Sequence, residues 1–159
     1  VEKVTGVREA LAELRTTDRA LYLELRKGIR EAVEPMRAAA AANLGTSPPL
    51  SGMARGRTAW TKLGTAVKTV LMGRTPRDRE LWPVARVKLA GPAASMYDMA
   101  GKGSPGSRFV ASLTAAGAPA PSRAMWPAAE AHLSDVEAAT RAAVDRVGDA
   151  SSRRLEWRG

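Results

Sequence analysis

Residues 66–99, AVKTVLMGRTPRDRELWPVARVKLAGPAASMYDM, decide how the chain is read. Val84–Ala90 alternates, with Ala85, Val87 and Leu89 on one side and Arg86 and Lys88 on the other, the period of a strand with one wet face. Ala66–Met72 reads as its partner strand. The intervening GRTPRDRELWP is too short for a crossover helix, so the two are expected to pair antiparallel through a long basic hairpin loop. Gly91 and Pro92 break the ladder, and a third run of the sheet is expected from Ala94 to Met99.

On the N-terminal side, VEKVTGV suggests a short strand and Val7–Arg15 a brief helix. Beyond them Leu21, Leu25, Ile29, Val33, Met36 and Ala40 recur every three or four residues and draw one apolar stripe down a long helix. Thr17 or Asp18 can cap its start, Pro35 is expected to kink it, and Gly45 with Pro48 and Pro49 ends it. On the C-terminal side, Pro127 stands where a first helical residue is expected. Ala129, Leu133, Val136, Thr140, Ala143 and Val147 form a second stripe, which Gly148 is expected to end. The fold expected is therefore α+β: an antiparallel sheet of three to five strands packed on a long N-terminal helix and a C-terminal helix. Residues 1–147 are expected to form one domain and 148–159 a polar tail. Leu25, Ile29, Val33, Leu133 and Val136 are expected to meet Val87 and Leu89 on one face of the sheet.

Between sheet and terminal helix lies Tyr97–Glu130, YDMAGKGSPGSRFVASLTAAGAPAPSRAMWPAAE, which is dense in glycine and proline yet carries Tyr97, Phe109, Met125 and Trp126. It reads as a long ordered loop that packs its own side chains and presents a contact surface. Burial of Met125 and Trp126 is expected to set the angle of the last helix. Asp98, Lys102, Arg108 and Arg123 are expected to stay at the surface as polar contacts around that anchor.

The chain has 159 residues, no cysteine and a net charge of +9. Disulfides and thiolate metal sites are excluded, no bilayer-length apolar run is present, and no secretory signal pattern opens the sequence. The charge implies attraction to phosphate, anionic membranes or acidic proteins. It is densest from Arg55 to Lys88, where Asp78 and Glu80 are the sole carboxylates. That segment is the footprint expected of the alternative reading, a basic nucleic-acid-binding protein. Thr46–Arg57 reads as a mobile loop with a basic tip. It and the Arg74–Glu80 hairpin loop are expected to be arms that order against neighbouring subunits.

Little here points to catalysis. His132 is the single histidine, so no triad can be assembled around a second base, and the carboxylates sit mostly in charge-balanced helices. GKGSPG, residues 101–106, meets the GxGxxG spacing, but Pro105 removes an amide that a pyrophosphate would need and no acidic residue follows at the ribose position. No cofactor is expected.

Two stretches together resemble a known family. VTGVREALAELRTTDRALYLELRKGIREAVEPMRAAAAANL, residues 4–44, resembles the opening of the neck or tail-completion proteins of long-tailed phages. MYDMAGKG followed by SRAMWPAAE is similar to that family's aromatic-acid-glycine loop and its arginine-aromatic-proline-alanine lead into the final helix. Many members carry a glutamate and a phenylalanine where Asp98 and Met99 stand. The resemblance implies a non-enzymatic virion subunit that forms a homo-oligomeric ring at the head–tail junction. Its partners would be further copies of itself and neighbouring connector and tail proteins, with passing genomic DNA as an additional contact and no membrane. Candidate assembly contacts are Arg55, Arg57, Arg74, Arg77, Arg79, Tyr97, Asp98, Lys102, Arg108, Arg123, Trp126 and Trp157.

Overall fold

The computed structural model describes residues 14–16, 18–45, 47–54, 60, 66–71, 84–103 and 106–156. Helix α1, Arg19–Asn43, follows Asp18, whose Oδ1 accepts hydrogen bonds from the Ala20 and Leu21 amides at 3.0 and 3.1 Å. An aspartate there satisfies donors that have no carbonyl one turn earlier. Gly45 ends the helix with φ +70°, a conformation that suits glycine, and its amide reaches the Ala42 carbonyl at 2.9 Å. The stripe is as read: Leu21, Leu25, Ile29, Val33 and Ala40 are buried and Met36 half-buried.

The sheet is smaller than expected. Strands β1 (Val67–Leu71) and β2 (Ala85–Leu89) form an antiparallel pair, and among the described residues no third strand joins them. The described chain is mostly helical, which corrects the α+β expectation of three to five strands. The run from Ala94 to Met99 lies in helix α2, Pro92–Met99. Pro92 needs no amide partner in the first helical turn, and the Ser95 amide reaches the Gly91 carbonyl at 3.1 Å. Its buried positions, Ala93, Ala94, Tyr97 and Asp98, follow the helical period rather than the alternation of a strand.

The stretch read as one long loop also contains helix α3, Arg108–Ala115. Ser107 caps its start by accepting from the Val110 amide at 3.3 Å. At its end Gly117 takes φ +74°, with Gly117 N–H on the Thr114 carbonyl and Ala118 N–H on the Leu113 carbonyl, the paired bonds of a Schellman termination. Helix α4 runs from Met125 to Glu156. It passes through Gly148, so the expected stop there and the polar tail after it give way to helix. The strand expected at residues 1–7 and the hairpin loop lie outside the described residues. Part of the segment read as a mobile loop is packed: a 3-10 turn, Ser51–Ala54, places Met53 in the core.

The chain gathers into two compact units. The first comprises Val1–Glu34, Val70–Arg86 and Leu133–Gly159, and the second Pro35–Thr69 and Val87–His132. In the first, Leu14, Leu21, Leu25 and Ile29 pack with Ala143 and Val147 of α4, and Leu71, Val84 and Ala85 pack against them. Gly28 lets the two helices meet here: a Cβ at that position would lie 2.9 Å from the Ala143 Cβ. In the second unit, Ala40, Leu44, Met53, Trp60, Ala66, Val67, Ala93, Ala94, Tyr97, Leu113, Ala124 and Ala128 form a separate core. Val87 and Leu89 pack against this core, and Leu133 is 44% exposed. The expectation that both stripes meet on one sheet face is thereby corrected. With few large side chains available, alanine faces allow close backbone approach in each core.

Candidate functional site

The second unit is built around a buried polar knot between α2 and the start of α4. Asp98 is 2% exposed and Arg123 4% exposed. Asp98 Oδ1 accepts from the Ala124 amide at 2.6 Å and the Met125 amide at 3.1 Å, while Oδ2 accepts from Ser122 Oγ at 2.7 Å. A carboxylate from a different helix thus supplies the N-terminal cap of α4, where free amides and the helix dipole favour negative charge. Arg123 returns the connection: its Nη1 donates to the Tyr97 carbonyl at 2.7 Å and to the Ala100 carbonyl at 2.9 Å. Those carbonyls lie in the last turn of α2 and just beyond it, where cations are favoured for the same electrostatic reason.

Rings extend the knot into the core. The Arg123 guanidinium lies 5.6 Å from the Tyr97 ring centroid, and Trp60 meets Tyr97 edge-on at 5.2 Å with an interplanar angle of 84°. Asn43, the last residue of α1, donates from Nδ2 to the Ala124 carbonyl at 3.1 Å. The knot therefore fixes the end of α2, the end of α1 and the start of α4 at one place. All the hydrogen bonds named for Asp98 are made inside the fold, so its carboxylate is engaged in structure rather than presented to a substrate or a partner. Arg123 Nε and Trp60 Nε1 are buried without a hydrogen-bond partner, so part of this stabilisation offsets their desolvation.

The second feature of this unit is an open pocket of about 270 Å³ lined by Leu50, Gly52, Met53, Ala93, Met96 and Phe109. Every lining side chain is apolar. Met96 is 50% exposed at its rim and Met53 is buried beneath it.

The expected site residues thus divide. Lys102 and Arg108 are exposed, as a contact surface requires. Tyr97 is buried, and Asp98 and Arg123 are buried with it, which corrects their expected place at the surface. Trp126, expected to be the buried anchor, is 62% exposed, with its Nε1 donating to Glu130 Oε1 at 2.7 Å. The helix starts at Met125, so Ala124 and Ala128 take the inward positions and Trp126 points away from them. Arg55, Arg57, Arg74, Arg77, Arg79 and Trp157 lie outside the described residues. The residues GKG of the GxGxxG match follow helix α2 rather than a strand, so the context a dinucleotide loop requires is missing. Gly101 serves packing instead: at φ +96° it leaves room for Pro121 and Val110, each 3.3 Å from where a Cβ would stand.

Charge is unevenly shared. The sequence ranges of the second unit hold Arg37, Arg55, Arg57, Lys62, Lys68, Lys88, Lys102, Arg108 and Arg123 against Asp98 and Glu130 alone, a net +7 of the chain's +9. Among the described residues no cluster of three or more histidine or carboxylate side chains could hold a metal ion, and no helix is long and apolar enough to cross a membrane. No protein-family model, curated protein or solved structure matches the chain.

Proposed function

We propose that the chain is a structural virion subunit of the neck or tail-completion class, a non-enzymatic protein that forms a homo-oligomeric ring at a phage head–tail junction. One observation carries this reading. Two of the short motifs that carry the resemblance beside residues 4–44, MYDMAGKG and SRAMWPAAE, lie more than 20 residues apart yet interlock through Asp98 and Arg123 into one buried unit. Motifs that fold together as a cap and its counter-cap support a shared scaffold more strongly than two independent short matches would. The exposed Trp126, Lys102 and Arg108 remain available on that scaffold for contacts with neighbouring copies and proteins.

The test is the assembly state of the purified full chain, by sedimentation velocity and negative-stain imaging across a concentration series at physiological salt. Closed rings are expected. A protein that stays monomeric at every concentration while binding duplex DNA in a salt-dependent manner would instead support the nucleic-acid reading.

A further inference from the structure

We propose that the pocket of Leu50, Gly52, Met53, Ala93, Met96 and Phe109 docks one bulky apolar side chain carried by an acidic segment of a partner protein. The lining side chains offer no hydrogen-bonding group to orient a polar ligand and the pocket surface is predominantly apolar, and at about 270 Å³ it lies below the roughly 300–1,000 Å³ of ordinary small-molecule sites. That size suits a single anchoring side chain. Met53 and Met96 give the walls the adaptable, polarisable surface that accepts varied anchors.

Charge selects the partner. The exposed side chains Lys68, Lys88, Lys102 and Arg108 belong to this unit, whereas Glu130, its one exposed carboxylate among the described residues, is hydrogen-bonded to Trp126. Helix α3 has no acidic residue in its first turn, so its N-terminal dipole adds to the positive field beside Phe109. A second copy of this chain would bring the same positive charge, and an acidic partner complements it. Nucleic acid is the poorer fit, because the pocket offers one aromatic ring and that ring is half-buried. This inference goes beyond the connector reading and does not depend on it.

Fluorescence anisotropy on the full chain tests the proposal with labelled synthetic peptides. One has a single central Phe flanked by Glu and Ser, a second replaces Phe with Ala, and a third replaces Glu with Lys. The first peptide is expected to bind, more weakly as salt rises, and the other two to bind at least roughly tenfold more weakly. Gly52→Leu should fill the pocket without strain, since a Cβ there meets nothing within 4 Å. Met96→Glu places a like charge at the rim. Each should weaken the first peptide by a similar factor with an unchanged melting temperature. Equal binding of the Phe and Ala peptides, binding unaffected by both substitutions, or no binding at all would overturn the proposal. So would an oligonucleotide that binds more tightly than the Phe peptide and is indifferent to Gly52→Leu. A chain that stays monomeric yet binds the Phe peptide at this pocket would support the inference and contradict the connector reading alone.

Discussion

Asp98→Ala should be among the most damaging substitutions in the second unit, although a sequence reading places this residue at the surface. The change removes a buried carboxylate that accepts the Ala124 and Met125 amides and the Ser122 hydroxyl. Loss of a helix cap alone costs about 0.5–2 kcal/mol. Buried donors left without an acceptor cost about 1–3 kcal/mol each, and these contributions are not additive. A total of about 3–5 kcal/mol is expected, in the upper tail for single substitutions. For a chain of this length that corresponds to a fall in melting temperature of about 6–20 °C. Asp98→Asn keeps the shape and one carbonyl oxygen for the two amides, and the Ser122 hydroxyl can rotate to accept from the new amide, so its cost should be about 1–2 kcal/mol. Urea denaturation followed by tryptophan fluorescence reads both, because Trp60 lies in the same core against Tyr97. If Asp98→Ala lies within about 0.5 kcal/mol of the wild type, the range of an ordinary surface change, the knot is not what holds this unit.

Other substitutions test neighbouring parts of the structure. Gly28→Ala should destabilise by about 1–3 kcal/mol despite alanine's better helix propensity, because the added methyl collides with Ala143; Ala143→Gly in the same chain should relieve much of the loss in a double-mutant cycle. Gly148→Ala should stabilise by about 1 kcal/mol in thermal melts, since the helix continues through this position and nothing lies within 4 Å of the new Cβ; a loss would mean that the helix ends there. Trp126→Ala should change the denaturation free energy by less than about 1 kcal/mol because the ring is mostly exposed, and a loss of about 3–5 kcal/mol would show that it is buried after all.

Where one residue spacing decides the outcome, the fold was legible. The Leu21 to Ala40 stripe, the Asp18 cap, the Gly45 stop and the antiparallel pair of Val67–Leu71 with Ala85–Leu89 all follow from local periodicity and turn chemistry. Short apolar runs were not legible. Ala94–Met99 suits a strand or a helix equally by hydropathy, and the Gly-Pro pair before it marked the start of α2 rather than a break in a ladder. Helix α3 is as short, and the glycines and prolines around Arg108–Ala115 obscured it. The buried charges failed for a different reason. Whether Asp98 and Arg123 are inside depends on groups some 25 residues away, and charged side chains are ordinarily exposed unless paired or satisfied. Trp126 failed on register, because a start at Met125 rather than Pro127 turns the ring outward. Of the candidate contacts, Lys102 and Arg108 are exposed, which follows from local polarity. The pocket gave no signal, since Leu50, Met53, Ala93 and Phe109 become neighbours only through the tertiary fold.

Amide hydrogen exchange at Ala124 and Met125 tests most directly whether the two distant motifs form one buried knot. Both amides donate to Asp98 rather than to a carbonyl of their own helix, so their protection reports that contact and little else. They should exchange only when the unit unfolds, with protection matching the most slowly exchanging core amides such as that of Leu25, or of Leu113 within the same unit, and they should become fast in Asp98→Asn or Asp98→Ala in proportion to the stability lost. Exchange in the wild type as fast as at the exposed Gly103, unchanged by either substitution, would contradict it.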